Sequence, residues 1–194
     1  MIFNSIEFLI FLPVVFLIYW KIFHKSLSAQ NLLLLIASYL FYGWWDWRFL
    51  SLIILSTSCD FLIGMKLDKS EKKLNRKLLL ATSIFINIGL LGFFKYYNFF
   101  IESFVDAFSF IGIKIHYSTL RVILPVGISF YTFQTLSYTI DIYKRKIKRA
   151  ANPIAFFAFV SFFPQLVAGP IERASNLLPQ FYTHRKFEYH KAVD

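Results

Sequence analysis

The sequence has few charged residues for its length. Asp, Glu, Lys and Arg make up 16% of its 194 residues, whereas about 25% is typical of soluble domains. Hydrophobic residues make up 57% and aromatic residues 21%. Too few charges are therefore available to cover the surface of a water-soluble globule, and the composition predicts a membrane protein.

Cysteine and the common catalytic signatures are also scarce. Cys59 is the only cysteine, which excludes a disulfide framework and a thiolate zinc site within this sequence. The sequence contains no glycine-rich phosphate loop, no nucleophile elbow and no metal-binding histidine pair. We therefore predict no metal site and no tightly bound cofactor.

Basic residues outnumber acidic ones, with 21 Lys and Arg against 11 Asp and Glu. A basic excess can indicate nucleic-acid binding. Here, however, the basic residues lie in short runs between apolar segments, as at residues 66–77 and 144–149. Such runs set membrane topology and contact anionic lipid headgroups. The predicted partner is a lipid bilayer, without nucleic acid.

The hydrophobic pattern predicts an all-α fold, a polytopic transmembrane helical bundle formed as a single membrane domain over residues 1–194. The predicted spans are residues 6–23, 31–45, 47–65, 78–94 and 121–143. In residues 99–110, Glu102, Ser103 and Asp106 lie on one side of a helix and three phenylalanines lie on another. This pattern predicts an amphipathic helix in the membrane interface.

The apolar segment 154–170 is interrupted by Pro164. A helix over the ten residues before it would be about 15 Å long, half of a hydrocarbon core of roughly 30 Å. We therefore predict a re-entrant segment that enters and leaves on the cytoplasmic side. With the amino terminus outside, this arrangement also gives the steeper excess of Lys and Arg in the cytoplasmic loops.

The segment LPVGISFYTFQTLSYTIDIY, residues 124–143, carries polar groups at helical spacing. Gln134, Ser137, Tyr138 and Asp141 share one face of the predicted helix. Lipid cannot solvate that face, so it must point into the protein. Two interpretations remain open: these groups form hydrogen bonds between helices, or they line a polar pathway through the bundle.

Two other features each allow two interpretations. The tryptophans in GWWDWR, residues 43–48, are typical of an aromatic belt at the bilayer surface, and an aromatic binding platform is the alternative. Asp60 lies within the third predicted span, where a carboxylate is costly. It makes a structural hydrogen bond or ion pair between helices, or it is a catalytic carboxylate.

The sequence resembles the membrane-bound O-acyltransferase family, in its bacterial alginate O-acetyltransferase branch. The resemblance is carried by LPVGISFYTFQTLSY, residues 124–138, and by FPQLVAGPIER, residues 163–173. Residues 85–100 and 56–64 fit the same branch more loosely. The resemblance covers essentially the whole chain, which we interpret as the amino-terminal portion of a longer enzyme.

The resemblance implies a multi-pass protein of the bacterial inner membrane that transfers an acetyl group to hydroxyls of a secreted polysaccharide such as alginate. It implies an acyl donor such as acetyl-CoA as substrate, and as partner the polysaccharide or a periplasmic acetyl-transfer protein. Candidate residues of the substrate path are those of the polar stripe and those of the loop expected at its cytoplasmic end. They are Gln134, Ser137, Tyr138, Asp141, Pro164, Gln165, Gly169, Pro170, Glu172 and Arg173.

The family is known for a histidine in a later membrane helix that acts as general base. His24, His116, His184 and His190 all lie outside apolar runs, and none matches that position. We therefore expect no catalytic residue in this chain and no acyl transfer by this chain alone. The alternatives are transfer of D-alanyl or another acyl group to a cell-wall polymer, and a non-catalytic scaffold or transport subunit.

Overall fold

The computed structural model describes residues 3–44, 46–110, 123–185 and 187. Every regular element in these ranges is helical. The bounds of the helices are α1 Ile6–Leu17, continued by a π-helical turn Ile18–Ile22, α2 Leu27–Gly43, α3 Trp47–Lys69, α4 Lys73–Phe110, α5 Ile128–Tyr143, α6 Pro153–Val160, α7 Phe163–Ala168 and α8 Ala174–Leu177. A 3₁₀ turn, Leu178–Phe181, follows α8. The all-helical class predicted from the sequence is confirmed for the described residues.

Helices α3, α4 and α5 pack against one another and form the centre of the molecule. By length and composition, α3 and the Lys73–Phe108 part of α4 are able to cross a membrane. Helix α5 is buried on most of its circumference and has 16 residues, or about 24 Å at 1.5 Å per residue. It is therefore shorter than the span predicted over residues 121–143, of which residues 121 and 122 lie outside the described ranges.

The late start of α5 follows from two residues of its local sequence and from one tertiary contact. Pro125 has no backbone N–H to donate, and Gly127 adopts φ 79°, a left-handed conformation that favours glycine. A Cβ atom on Gly127 would lie 3.0 Å from the carbonyl oxygen of Leu166. The helix can therefore begin only at Ile128.

Helix α4 joins two elements that the sequence predicts as separate. Residues 78–94 and 99–110 belong to one continuous helix of 38 residues, about 57 Å long. Lys95, Tyr96, Tyr97 and Asn98, expected to close a span, include neither Gly nor Pro and therefore do not interrupt the helix. Phe99, Phe100, Phe104 and Phe110 are exposed in the part that extends past the start of α3.

Arg76 holds the carboxyl ends of α3 and α5 together. Its Nη1 donates to the carbonyl oxygens of Leu67 and Ser70, and its Nη2 donates to those of Ile142 and Tyr143 at 3.0 and 2.8 Å. These carbonyls lie at helix ends, where the backbone has no partner of its own and the helix dipole is negative. The end of the molecule marked by Arg76, here called the basic end, therefore contains the loop after α3 and the run 144–149.

The chain leaves the basic end through α6, whose amino terminus is capped by Asn152. Its Oδ1 accepts hydrogen bonds from the backbone N–H groups of Ile154 and Ala155 at 2.8 and 3.3 Å. The buried side chains of α6 are Ala155, Phe156, Ala158, Phe159 and Val160. This helix packs against α2, α3 and α5.

The break in this segment lies before Pro164 and not at it. Helix α6 ends at Val160, and α7 begins at Phe163 with Pro164 in its first turn, where a proline needs no N–H. The chain then reaches Gly127 at the amino end of α5. It returns through Ala174, whose N–H donates to the Ser137 hydroxyl at 3.0 Å.

Residues 150–182 thus form a hairpin alongside α5, with both of its ends at the basic end. The Asn152 backbone N–H donates to the Tyr182 hydroxyl at 3.5 Å, which places the start and the finish of the hairpin side by side. The Asn31 side-chain amide near the start of α2 donates to the Phe181 carbonyl oxygen at 2.7 Å. We refer to these residues as the hairpin.

Helix α1 packs on the outside of this arrangement. Phe8, Phe11 and Val15 contact Phe41 of α2 and Phe163 of the hairpin. The opposite side of α1 remains exposed and is apolar, with residues such as Ile6, Leu9 and Ile10.

Candidate functional site

The polar stripe of α5 points into the protein, as both interpretations of the sequence require. Gln134, Tyr138 and Asp141 are at most 5% exposed, and Ser137 is partly buried. Gly64 of α3 leaves room for the Tyr138 ring, since a Cβ atom there would lie 2.6 Å from the Tyr138 hydroxyl oxygen. The stripe faces α3 on one side and the hairpin on the other.

Ser137 and Tyr138 form hydrogen bonds with the hairpin backbone. The Ser137 hydroxyl donates to the Gln134 carbonyl oxygen at 2.8 Å and accepts from the Ala174 N–H at 3.0 Å. The Tyr138 hydroxyl accepts from the Ala150 N–H at 3.0 Å. These two residues therefore fit the first interpretation, in which the stripe supplies hydrogen bonds that hold the protein together.

Gln134 and Asp141 differ from them. Within the described ranges, Oε1 of Gln134 and Oδ2 of Asp141 have no hydrogen-bond partner, although both atoms are buried. Leaving a buried acceptor unpaired costs about 1 to 3 kcal/mol. Thr57 Oγ1 on α3 is a third atom of this kind. These atoms fit the second interpretation, because a polar ligand or water could satisfy them.

Asp141 also makes no ion pair with the neighbouring basic residues. The ion pairs between described residues are Arg48 with Asp46 and Arg149 with Asp68. The carbonyl oxygen of Asp141 accepts from the Lys146 N–H at 2.9 Å, so its backbone helps to end the helix while its carboxylate points inward. An anchoring role through Lys144 or Arg145 is therefore not supported by these contacts.

The loop FPQLVAGPIER lies at the amino end of α5, opposite the basic end. The Gln165 side-chain amide, 7% exposed, donates to the Pro170 carbonyl oxygen at 2.8 Å and closes the turn. Gly169 is required there, since a Cβ atom would lie 2.9 Å from the Cα of Gln165.

This position corrects one expectation from the sequence. The loop was expected at the cytoplasmic end of the polar stripe, yet it cannot share an end with the run 144–149. The reason is that α6 and α7 together follow the length of α5 before the chain turns. Glu172 and Arg173 come after this turn, and Arg173 is exposed.

A second polar cluster, not predicted as a cluster from the sequence, surrounds Asp60. Asp60 is fully buried. Its Oδ1 accepts from the Ser83 hydroxyl at 2.6 Å, and its Oδ2 accepts from the Asn87 side-chain amide at 2.7 Å. The Oδ1 of Asn87 in turn accepts from the hydroxyls of Ser56 and Thr135, each at 3.1 Å.

The cluster takes one pair of residues four positions apart from each of three helices. Ser56 and Asp60 lie on α3, Ser83 and Asn87 on α4, and Thr135 and Thr139 on α5. Residues at this spacing share a helix face. Polar pairs within three otherwise apolar helices were thus the signal that could have revealed the cluster. Its closed hydrogen bonds match the structural interpretation of Asp60.

No catalytic base can be assigned among the described residues. His24 and His184 are exposed, while His116 and His190 lie outside the described ranges. Within those ranges, no group of His, Cys, Asp and Glu side chains could hold a metal ion. The tryptophans Trp44 and Trp47 are largely exposed at the start of α3, and Trp45 is outside the described ranges.

Comparison with known proteins identifies relatives over nearly the whole chain. The chain is 42% identical over 185 residues to a probable alginate O-acetylase AlgI of Pseudomonas syringae pv. tomato, and 39% identical over 189 residues to that of Pseudomonas aeruginosa. The resemblance to the alginate O-acetyltransferase branch is confirmed. A peptidoglycan O-acetyltransferase of Helicobacter pylori is 34% identical over 208 residues.

The matches to these O-acetyltransferases cover 93 to 95% of the chain. The chain spans about a third of the length of these curated relatives, between 35 and 38%. No family model matches the sequence, and no solved structure is similar enough to count as a match.

The Asp60 cluster yields a testable prediction about the stability of variants in which Asp60 and Asn87 are exchanged. Asp60→Asn replaces one of the two oxygen atoms that accept from Ser83 and Asn87 by an amide donor, and Asn87→Asp brings two carboxylates to about the present 2.7 Å. Each single variant should lose about 1 to 3 kcal/mol of stability. The double variant should recover at least about 1 kcal/mol of the summed loss, because the contact is restored.

Thermal unfolding of the detergent-solubilised protein measures these differences. Recovery should be partial, since an aspartate at position 87 would face the Ser83 carbonyl oxygen to which Asn87 now donates at 3.0 Å. Asp68→Asn is the matched control, because it changes a partly exposed carboxylate on the same helix. A double variant that loses the full sum of the two single losses would contradict the assignment.

Proposed function

We propose that the chain is part of a multi-pass membrane O-acyltransferase that transfers an acetyl group to hydroxyls of a polysaccharide. The observation that carries this proposal is the 42% identity to an alginate O-acetylase over 185 residues. The two strings of the resemblance also adjoin in space, since Leu166 of the second contacts Gly127 of the first. The family likeness therefore lies in a packed region of the protein.

The membrane location is supported by the distribution of apolar and basic side chains. Large hydrophobic residues are exposed along α1 and α4, where lipid would contact them. Of the described Lys and Arg residues, all but Arg48, Lys95 and Arg173 lie at the basic end. By the positive-inside rule the basic end faces the cytoplasm, which puts the amino terminus outside. Trp44 and Trp47 then lie at the outer membrane surface.

The hairpin fits the predicted re-entrant segment, because both of its ends lie at the basic end. Irregular backbone is tolerated at membrane depth only where protein or a water-filled cavity surrounds it. The buried side chains of α6 satisfy that condition. In this arrangement the loop 163–173 lies toward the outer side of the membrane domain and not at the cytoplasmic surface.

The proposed reaction joins a cytoplasmic donor to an acceptor on the other side. The hydroxyl oxygen of the acceptor attacks the carbonyl carbon of an acyl thioester such as acetyl-CoA, a C–O bond forms, and the C–S bond breaks. A general base takes the hydroxyl proton, and the thiolate leaves and is protonated. In the family this base is a histidine, which we expect outside this chain.

The residues of this chain contribute polarity to the path between donor and acceptor. Gln134 and Asp141 provide buried oxygen atoms that the described protein leaves unpaired. The two lie about 10 Å apart along α5 at 1.5 Å per residue. Thr57 provides a third such atom from α3. We propose that these groups line the path and orient substrate without transferring a proton.

The second candidate acceptor is a cell-wall polymer. It is favoured by the relative named peptidoglycan O-acetyltransferase, which matches 93% of the chain. The chemistry at the hydroxyl is the same for both acceptors. The residues of this chain that we assign to the path therefore keep their roles in either case, and transfer of D-alanyl or another acyl group would use them as well.

The first prediction from this proposal concerns the gene as a whole. Its deletion should remove ester-bound acetate from a secreted polysaccharide or from the cell wall, and the complete wild-type gene should restore it. Acetate released by mild alkali from the two separated fractions is the measurement. The fraction that changes identifies the acceptor class, and unchanged acetate in both fractions would contradict the proposal.

A second prediction concerns Asp141. Asp141→Asn in the complete protein should insert at wild-type level but lower acetylation at least about tenfold, or about 1.4 kcal/mol, because it removes a charge that faces the path. Asp68→Asn is the matched control and should leave acetylation unchanged. Unchanged acetylation in Asp141→Asn would remove the path assignment, and an equal fall in protein level and activity would indicate a folding role.

A third prediction tests the topology. In a Cys59→Ser background, single cysteines replace Glu71 and Thr183, both exposed at the basic end, or Trp47, which is 74% exposed at the other end of α3. A membrane-impermeant thiol reagent should label position 47 in intact cells, and positions 71 and 183 only after the cells are opened. Labelling of position 183 but not 71 in intact cells would exclude the re-entrant hairpin.

A further inference from the structure

A cavity of about 300 Å³ lies between α1, α2 and the hairpin. Its volume is at the lower end of the range of about 300 to 1,000 Å³ for ligand pockets. Most of the lining side chains are apolar, among them Leu12, Val15, Phe16, Leu34, Phe163 and Leu177. The cavity is separate from the polar stripe, since no residue of α5 lines it.

The outer wall of the cavity opens toward the surroundings of the protein. Leu12 and Phe16 are 43% and 47% exposed, whereas Val15 on the same helix is 9% exposed. From Leu12 to Tyr19 the cavity follows α1 for about 10 Å at 1.5 Å per residue. A narrow apolar channel of this length suits a section of one acyl chain.

One end of the cavity carries a guanidinium group. Arg185 is in contact with Tyr19 and Phe181, whose ring centroids lie 5.8 and 5.0 Å from its Cζ. Its Nη1 donates to the Tyr19 hydroxyl, and its Nη2 donates to the Asn31 side-chain oxygen at 3.2 Å. Its Nε and Nη2 also donate to the Gln180 carbonyl oxygen at 3.2 and 2.9 Å. No carboxylate of a described residue pairs with it.

The backbone is specialised at the same place. Tyr19 lies in the π-helical turn Ile18–Ile22. Such turns are rare in proteins as a whole, and many of those that occur are found at functional sites. The buried Gln30 side-chain amide donates to the Tyr19 carbonyl oxygen at 3.4 Å. The wider turn thus directs the Tyr19 ring toward Arg185. Lys21 within the turn and Lys25 shortly after it add exposed positive charge.

We propose that this cavity binds one acyl chain of an anionic phospholipid, with its phosphate group at Arg185. An apolar channel that ends at a cation without a carboxylate matches the chemistry of such a lipid, and the basic end is where anionic headgroups would lie. The site rests on the membrane location proposed above but not on the acyl-transfer reaction. The bound lipid would contact both α1 and the hairpin and would thereby hold them together.

The test uses the complete protein in nanodiscs with equal amounts of phosphatidylglycerol and phosphatidylcholine, and native mass spectrometry of the lipid that stays bound. Wild type should retain one phosphatidylglycerol with a preference of about fivefold, or about 1 kcal/mol. Arg185→Gln should reduce the preference to about one. Arg185→Lys should keep it, because the charge remains although the hydrogen bonds to Asn31 and Tyr19 are altered.

Two further variants separate the site from general effects of charge and folding. Lys77→Gln removes an exposed charge at the same end of the molecule and should leave the preference intact. Leu12→Trp fills the cavity and should lower retention of both lipids while Arg185 is unchanged. Thermal unfolding identifies any variant that is not folded.

The proposal would be overturned if wild type retained no lipid, which would mean that another part of the protein fills the cavity. Equal effects of Arg185→Gln and Lys77→Gln, or undiminished retention in Leu12→Trp, would also overturn it. A protein that enters the nanodiscs but shows no lipid preference would disprove the site and leave the membrane location standing.

Discussion

The fold depends on how a fully buried carboxylate is satisfied within apolar helices. Asp60 receives hydrogen bonds from Ser83 and Asn87 of α4, and Thr139 of α5 lies 3.4 Å from its Oδ1. A buried polar group without such partners costs several kcal/mol, so only one relative placement of α3, α4 and α5 is favourable. Apolar contacts alone would permit many placements. The cluster therefore fixes the rotation of the three helices, and Arg76 fixes their ends.

The sequence predicted the helices better than it predicted their ends. Periodicity and composition located the long helices of the described residues, but α5 starts seven residues after the predicted position. The local causes are Pro125 and the left-handed Gly127, and the tertiary cause is the contact of Gly127 with Leu166, a residue distant in sequence. The continuity of α4 was missed because aromatic and basic residues at positions 95–98 were interpreted as an interface, although none of the four is a Gly or Pro that would favour a break in the helix. The contact between Gly127 and Leu166 is tertiary and is therefore absent from local sequence, whereas the continuity of α4 was present there and was misinterpreted.

The polar stripe was predicted correctly as a buried face but could not be divided by sequence alone. Ser137 and Tyr138 were grouped with Gln134 and Asp141 by spacing, yet their hydroxyls bind the backbone of the hairpin. The hairpin residues that bind these hydroxyls lie outside α5, so helical periodicity within α5 cannot reveal the contacts. In the same way, Asp60 was recognised as requiring a partner, but its partners on α4 and α5 became evident only once the helices were placed together.

The hairpin explains why polar side chains occur in the apolar helices α2 and α5. Its irregular backbone needs partners that lipid cannot provide, and four side chains supply them. Ser38 accepts from the Phe163 N–H, Ser137 from Ala174 and Tyr138 from Ala150, while Asn31 donates to the Phe181 carbonyl oxygen. Gln134 and Asp141 lie on the same buried side of α5, but their free oxygen atoms serve no backbone group of the described protein. The substrate path proposed above would give these two oxygen atoms the polar partner that the described protein does not provide.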